Sequence, residues 1–361
     1  MSMRKHLVAL ALVFGLVIAS KQALAQVDQN VDVSGVNIPK SFTDATGMDE
    51  TALKNFIHDN IDKLFQVTNA VGFLRKLGDS QSFTSKGMGV DYASEATYFE
   101  VGGSVNFAMG IDRTYQPDSV QGFPIQGVGL NASAMAGLSL DFLGLPVMIF
   151  GNYMKIPTMN YGSMSGSLDN WGVHAQLRLF GPSHKSSALS MLLRWGGIAI
   201  TSGIDSSHMA LGLHKSIKSS FTLPDQSMTF SADTSADNQA RFNVDMTTRS
   251  IPLEVTTSLR LLTFLTAYGG VGFDWQLAGS NTIDLEVSAA MTGRLNQTGT
   301  TEDLGKVTAK AKVSADPSPA KVRGILGMQF NLFLLRVFTQ VNMTSGNPMM
   351  ASLAAGLRLA Y

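Results

Sequence analysis

The sequence predicts an all-β fold: a transmembrane, antiparallel, up-and-down β-barrel of 10–14 strands, with 12–14 favoured, preceded by one amphipathic α-helix. Three observations carry this. The chain opens on an export signal. Apolar residues make up 45% of it and charged residues only 15%, against about 25% charged in soluble domains. Beyond Gln81, apolar and polar residues alternate with period two to the C-terminus. After the export signal no stretch approaches the roughly 18 uninterrupted apolar residues of a spanning helix. A closed barrel reconciles high apolar content with this dilution, because its apolar surface takes only every second residue.

The export signal occupies residues 1–25. Arg4 and Lys5 precede an apolar run from Leu7 to Ala19, and Ala23, Leu24 and Ala25 supply small residues around a cleavage point. Thirteen apolar residues fall short of the roughly 20 that a retained spanning helix needs, so the mature chain is expected to begin at Gln26. Removing Arg4, Lys5 and Lys21 leaves 24 basic against 27 acidic residues, a net charge of −3. No run of like charge stands out, so the sequence offers nucleic acid no electrostatic footing. There is no cysteine. The fold must therefore be held by burial and hydrogen bonding, without disulfides and without a lipid-anchored N-terminal Cys.

Residues 26–47 are polar and read as an irregular, periplasmic leader. From 48 to 77 the period becomes helical. Leu53, Phe56, Ile57, Ile61, Leu64, Phe65, Val67, Val71 and Leu74 form one stripe, while Lys54, His58, Asp59, Asp62 and Lys63 lie opposite. Asp49 and Glu50 fall in the first turn, where the helix dipole favours negative charge. The stripe must bury against something. The helix is expected to plug the barrel, with Asp59 and Asp62 facing arginines at its mouth, or else to dock in the periplasm.

The barrel is expected over 84–361. Ten strands are the minimum: 97–110, 124–140, 146–157, 168–180, 187–202, 250–261, 265–278, 320–330, 333–343 and 349–361. Two further pairs, in 207–248 and 282–315, either span or stand above the membrane as loop hairpins. Short turns near 141–145, 181–186, 262–265 and 331–332 alternate with longer links near 111–123, 158–167 and 344–348, as at the two ends of such a barrel. Phe142, Phe180, Phe264, Phe330 and Phe333 lie beside the short turns and, with Tyr361, form a candidate aromatic girdle.

The last strand carries a resemblance. Tyr361, Leu359, Leu357 and Ala355 alternate toward a terminal aromatic residue, and this tail resembles the assembly signal of bacterial outer-membrane β-barrels. Over about a dozen residues, the resemblance implies insertion by the barrel-assembly machinery, with Leu357, Leu359 and Tyr361 as the signal, and a bacterial outer-membrane location. In that class a terminal Phe is commoner than Tyr.

Chemistry-bearing motifs are scarce. No HExxH, His/Cys cluster or phosphate-binding glycine loop occurs, so neither catalytic residues nor a metal or cofactor is expected. Asp205-Ser206-Ser207-His208 holds three triad residue types, but within one short stretch read as a surface loop. Turning the apolar face outward puts Arg178, Arg260, Arg336 and Arg358 in the lumen near the periplasmic end, with Asp141. Glu100, Arg194, Glu254, Asp274 and Arg323 lie at other levels. Such an interior is either a salt-bridged filling or a basic constriction favouring anions. Two functions follow as expectations. One is a porin-like channel or transporter for a small solute, gated or plugged by the helix. The other is a non-transporting surface barrel that uses 203–249 and 280–319 as adhesin-like loops. Outer-membrane lipid is the expected surroundings.

Overall fold

The structure, a computed structural model, describes residues 30–34, 39–40, 43–44, 47–59, 70–93, 98–111, 127–181, 192–215, 218–222, 228–233, 240–262, 264–295, 299–346 and 349–361. The signal segment 1–25 and Asp62 lie outside these residues.

The first elements are a strand, β1 (Asn30–Ser34), and two helices, α1 (Glu50–Asp59) and α2 (Ala70–Thr84). The leader is thus not irregular throughout. Of the helix expected over 48–77, α1 and the start of α2 are described while 60–69 lie outside the described residues, and α2 runs past the apolar stripe to Thr84. Asp49 caps α1 by accepting the Ala52 N–H on its side chain at 2.7 Å, and Glu50 pairs with Lys54 one turn on at 2.7 Å.

The strands that follow are β2 (Phe99–Ile111), β3 (Val128–Ser139), β4 (Val147–Tyr161), β5 (Met164–Phe180), β6 (Leu193–Lys215), β7 (Lys218–Thr222), β8 (Met228–Asp233), β9 (Ala240–Leu261), β10 (Leu265–Leu295), β11 (Thr301–Ala315), β12 (Ala320–Leu332), β13 (Leu335–Thr344) and β14 (Met349–Ala360). All belong with β1 to one 14-stranded antiparallel sheet. Among the described residues, ten of them close a ring in the order β2-β3-β4-β5-β6-β9-β10-β12-β13-β14. β14 pairs back onto β2, and β9 pairs with β10. These correspond one for one to the ten strands read from the sequence, at the lower bound of the count. Several are longer than expected, and β6 is described from Leu193, residues 187–191 lying outside the described residues.

One rim carries the tight connections: the turn closed by Gly144 (φ +73°), Leu262 (φ +50°) and Phe333 (φ +61°). Tyr361 also lies at this near rim, where its N–H donates to Phe99 O at 2.9 Å. At the far rim β4 and β5 meet in a two-residue turn at Gly162 (φ +58°) and Ser163. The long link expected at 158–167 is therefore a hairpin end.

Alternation sorts the wall. Val101, Val105, Leu130, Val173, Val255, Val271, Leu326, Leu353 and Leu357 face outward and exposed, while Asn106, His174, Glu254, Asp274 and Arg358, and Thr201 and Gln340 on β6 and β13, are buried inside. An apolar exterior of this kind suits lipid. β9 shows where the belt ends. Its even-numbered residues face inward throughout, but Glu254, Thr256 and Ser250 give way toward the far rim to Met246, Val244 and Phe242. Outside, Leu253 and Val255 give way to Thr247, Asp245 and Arg241. β10 makes the same change through a bulge: Gln276 pairs with Ser250 and Ala278 with Arg249, leaving Leu277 extra. Since one residue shifts the face, Ile283, Leu285 and Val287 turn inward. Beyond the bulge β10 pairs with β11, whose other edge takes β1. The wall therefore rises above its apolar belt on the β4–β11 side, with a polar exterior. Cross-strand pairs Lys310–Glu286 (3.4 Å), Lys312–Asp284 (3.7 Å) and His208–Asp245 (3.0 Å) lie on that exterior. The segments 203–249 and 280–319, expected as loops, largely form this raised wall.

Candidate functional site: an occluded lumen

The interior of the ring is occupied by the chain itself. Residues 77–93 are all buried. The first turns of α2 bring Leu74 and Leu77 against Met209, Val244, Met246, Ile283 and Val313 of the raised wall. Below them the helix turns polar, and its hydroxyls stitch down its own end. Ser80 donates to Lys76 O at 2.8 Å, Thr84 to Gln81 O at 2.7 Å and Ser85 to Ser82 O at 2.8 Å. Gly129 of β3 is the seat: a Cβ there would fall 2.7 Å from Ser80 O. Past Thr84 the chain descends through Gly87 (φ +74°) and Gly89 (φ +82°). This left-handed conformation suits Gly, and any side chain at Gly87 would strike Gln340.

Three polar layers lock the segment to the wall. Uppermost, Asp79 accepts the Ser318 N–H (2.9 Å) and hydroxyl (2.7 Å) and pairs with Lys321 at 2.8 Å. In the middle, Lys86 donates to Asp205 at 3.0 Å and to the Ser250 hydroxyl. The other Asp205 oxygen lies 3.0 Å from His174 Nε2. Beside it the Tyr92 hydroxyl donates to Glu254 at 2.5 Å. Arg323 donates to Asp274 (3.0 Å), to Asn342 (2.7 Å) and to Glu254. Lowest, Asp91 pairs with Arg358 at 2.8 Å and with Arg336 at 3.4 Å. Arg358 also donates to Val90 O at 2.9 Å, lies 4.1 Å from the centroid of the Phe338 ring, and stands 4.0 Å from Glu100. Buried charges are tolerated when they are paired, and the pairs tie this segment first to β12, then to β6 and β9, and lowest to β13 and β14.

The lumenal residues read from the sequence divide by depth. Arg358 and Glu254 are buried within these layers, and Arg336 is largely so. Arg178 and Asp141 pair with each other at 2.9 Å at the near rim, partly exposed, and Arg260 is half-buried there. Asp59 closes α1, and its side chain is outside the described residues, as is Asp62. Among the described residues the carboxylate that pairs with Arg336 and Arg358 is Asp91, while Lys86, Tyr92 and Asp79 reach Asp205, Glu254 and Lys321 of the wall. The sequence assigned 84 onward to the barrel. β2 starts only at Phe99, and the Gly- and Ser-rich run 78–89 was the available sign that strand had not begun. Asp205-Ser206-Ser207-His208 is a stretch of β6, not a loop. Asp205 points inward, whereas His208 reaches Asp245 on the exterior, so the wall separates them. Among the described residues no group of His, Asp or Glu is placed to hold a metal.

The profile of the Lsa36-like family matches residues 29–361, and the chain belongs to that family. No curated protein sequence matches it. Among solved structures it is similar to the translocator domain of the autotransporter NalP from Neisseria meningitidis, at 10% identity over 82% of this chain and 98% of that one, with a TM-score of 0.33. It is also similar to Ail, the attachment invasion locus protein of Yersinia pestis, at 8% identity, 73% and 100% coverage and a TM-score of 0.26. The Ralstonia pickettii toluene transporter TbuX matches at 8% identity, 80% and 99% coverage and a TM-score of 0.26. Likeness of this size concerns the barrel fold and carries no function across.

Proposed function

We propose that this member of the Lsa36-like family is a bacterial outer-membrane barrel closed by its own segment 77–93, serving as a surface anchor that holds the raised β4–β11 wall above the lipid. The observation that carries this reading is the occlusion: Lys86 and Asp91 are buried inside the ring and paired with residues of β6, β9, β13 and β14. A pore for solutes needs a hydrated path, and here two of the four arginines read as a basic constriction, Arg336 and Arg358, are already paired with Asp91. Export through a cleaved signal over residues 1–25, and insertion by the barrel-assembly machinery acting on Leu357, Leu359 and Tyr361, belong to the same reading.

A second reading, a gated conduit, has one observation in its favour. The amides of Asn131, Asn152 and Asn170 are buried on β3, β4 and β5 without hydrogen-bond partners among the described residues. They stand where β3 and β4 pair only over Ala134–Ser139 with Met148–Tyr153. Were segment 77–93 to move, this side of the lumen would offer an uncharged polar track to a small solute. Planar-bilayer recording separates the two readings. The anchor is expected to be silent across salt and voltage, and reproducible single-channel openings of the unmodified protein would replace it by the conduit.

A further inference from the structure

The path of the chain through the ring fixes where its N-terminal arm must sit. Descending from Leu77 to Asp91, its partners descend the wall in step. Leu74 and Leu77 touch Val244, Met246, Ile283 and Val313, beyond the bulge of β10. Asp79 meets Ser318, in the link between β11 and β12. Phe83 packs on Ala108 and Met350, at the far-rim ends of β2 and β14. Lys86 reaches Asp205 at mid-height. Asp91 reaches Arg336 and Arg358, one and two residues from the near-rim ends of β13 and β14. Tyr98 then joins Tyr361 at the near rim, where it donates its N–H to Tyr361 O at 2.8 Å. The segment therefore runs the length of the lumen, entering α2 at the far rim and leaving into β2 at the near rim.

β1 agrees independently. Asn30–Ser34 pairs with Lys312–Thr308 of β11, an element found only on the raised wall. It covers an edge that would otherwise offer unpaired N–H and C=O groups.

We infer that the barrel is the passage for its own N-terminal arm: residues 30–59 lie on the membrane face opposite the C-terminus, having crossed through the lumen that segment 77–93 still fills. The ring is hydrogen-bonded across the β14–β2 and β9–β10 seams, so an arm starting on the side of the C-terminus has no route to the far rim around a finished barrel. It passes through the ring, or the ring closes around it during assembly. Far from being a periplasmic leader, this arm becomes part of the surface displayed with the raised wall. The inference needs only the relation between the two rims, and holds whether the lumen conducts or not.

The absence of cysteine makes the test direct. Single variants Ser34→Cys and Thr51→Cys, exposed on β1 and α1, are labelled with a membrane-impermeant maleimide on intact cells and again after outer-membrane permeabilisation. His214→Cys marks the far rim and Phe333→Cys the near rim; all four positions are exposed. Each variant is first checked for heat-modifiable migration, and Glu50→Cys replaces either arm variant that fails. The arm is expected to follow His214→Cys, labelling fully under whichever condition labels that marker, and to differ from Phe333→Cys. Labelling of the arm together with Phe333→Cys, and not with His214→Cys, overturns the inference. Should the far-rim marker itself label only after permeabilisation, the placement of the raised wall outside the cell fails, while the threading is still decided by which marker the arm follows.

Discussion

Asp91→Asn isolates the lowest lock of the lumen. The carboxylate is 1% exposed and meets two arginines, of which Arg358 is 2% exposed. Removing one member of such a buried pair costs about 3–5 kcal/mol, because the partner charge remains without compensation. Two features place this case toward the lower figure. The amide carbonyl still accepts one hydrogen bond, and Glu100 stands 4.0 Å from Arg358. None of the strand pairings that close the ring involves Asp91, so the loss falls on the docking of segment 77–93 and leaves the barrel standing. At about 1.4 kcal/mol per tenfold, 3 kcal/mol raises the undocked fraction by about a hundredfold. In detergent or liposomes the variant should keep heat-modifiable migration. A protease should cut within 77–93 about two orders of magnitude faster than in the unmodified protein. Brief openings should appear in a planar bilayer. A folded variant with unchanged cleavage rate and no openings would refute the claim that this ion pair holds the lumen shut.

Three further outcomes are expected. Leu357→Arg places a charge on an outward position that is 55% exposed but only three residues from the near-rim end of β14, so it should cost less than the about 2–4 kcal/mol of a midplane arginine, read by denaturant titration in liposomes. Its neighbour offers no mild contrast: a Cβ at Gly356 would fall 2.6 Å from Gly103 O and from the Phe338 ring, so even Gly356→Ala should destabilise the barrel. Replacing Tyr361 with Asp removes a ring that stacks on Tyr98 at 5.9 Å and should leave the chain exported but depleted from the outer-membrane fraction, as judged by fractionation and immunoblot. Deleting Leu277 removes only the extra residue, leaves Gln276 opposite Ser250 and Ala278 opposite Arg249 in an unbroken ladder, and should keep Ile283, Leu285 and Val287 inward. The raised wall should then stay as protease-resistant as in the unmodified protein, with heat-modifiable migration unchanged, and a protease-sensitive wall would show that its inward apolar face depends on the bulge.

The belt was legible in the sequence because lipid imposes a rule that alternation reports directly. Ile251, Leu253, Val255 and Leu259 face outward on β9, just as Leu353, Leu357 and Leu359 do on β14, and each strand was found where apolar and polar residues take turns. What failed were the ends. β9 was read as starting at 250 and β10 as stopping at 278, although they run from Ala240 and to Leu295. On β9 the alternation continues, but the apolar residues change sides as the strand leaves lipid for water. On β10 the phase itself slips at Leu277. A search for apolar-outward alternation ends at both places, for physical reasons that a single strand does not announce.

The lumen was harder to read for a different reason. That Arg336 and Arg358 face inward follows from alternation, which fixes a side chain's face. Which anion meets them depends on where the preceding segment travels, and periodicity says nothing about a stretch that is neither helix nor strand. Asp59 and Asp62 looked suitable because they share a helix with an apolar stripe, yet the part of the chain that descends past both arginines begins only after that stripe ends. Gly87 and Gly89 mark this descent. Two left-handed glycines within a narrow ring let the backbone pass Gln340 and Asn152 where side chains would collide, and they bring Asp91 to the arginines. A bulky residue at Gly87 would therefore disturb the same lock as Asp91→Asn, without touching a charge. That coupling ties the lowest layer to the course of the backbone above it.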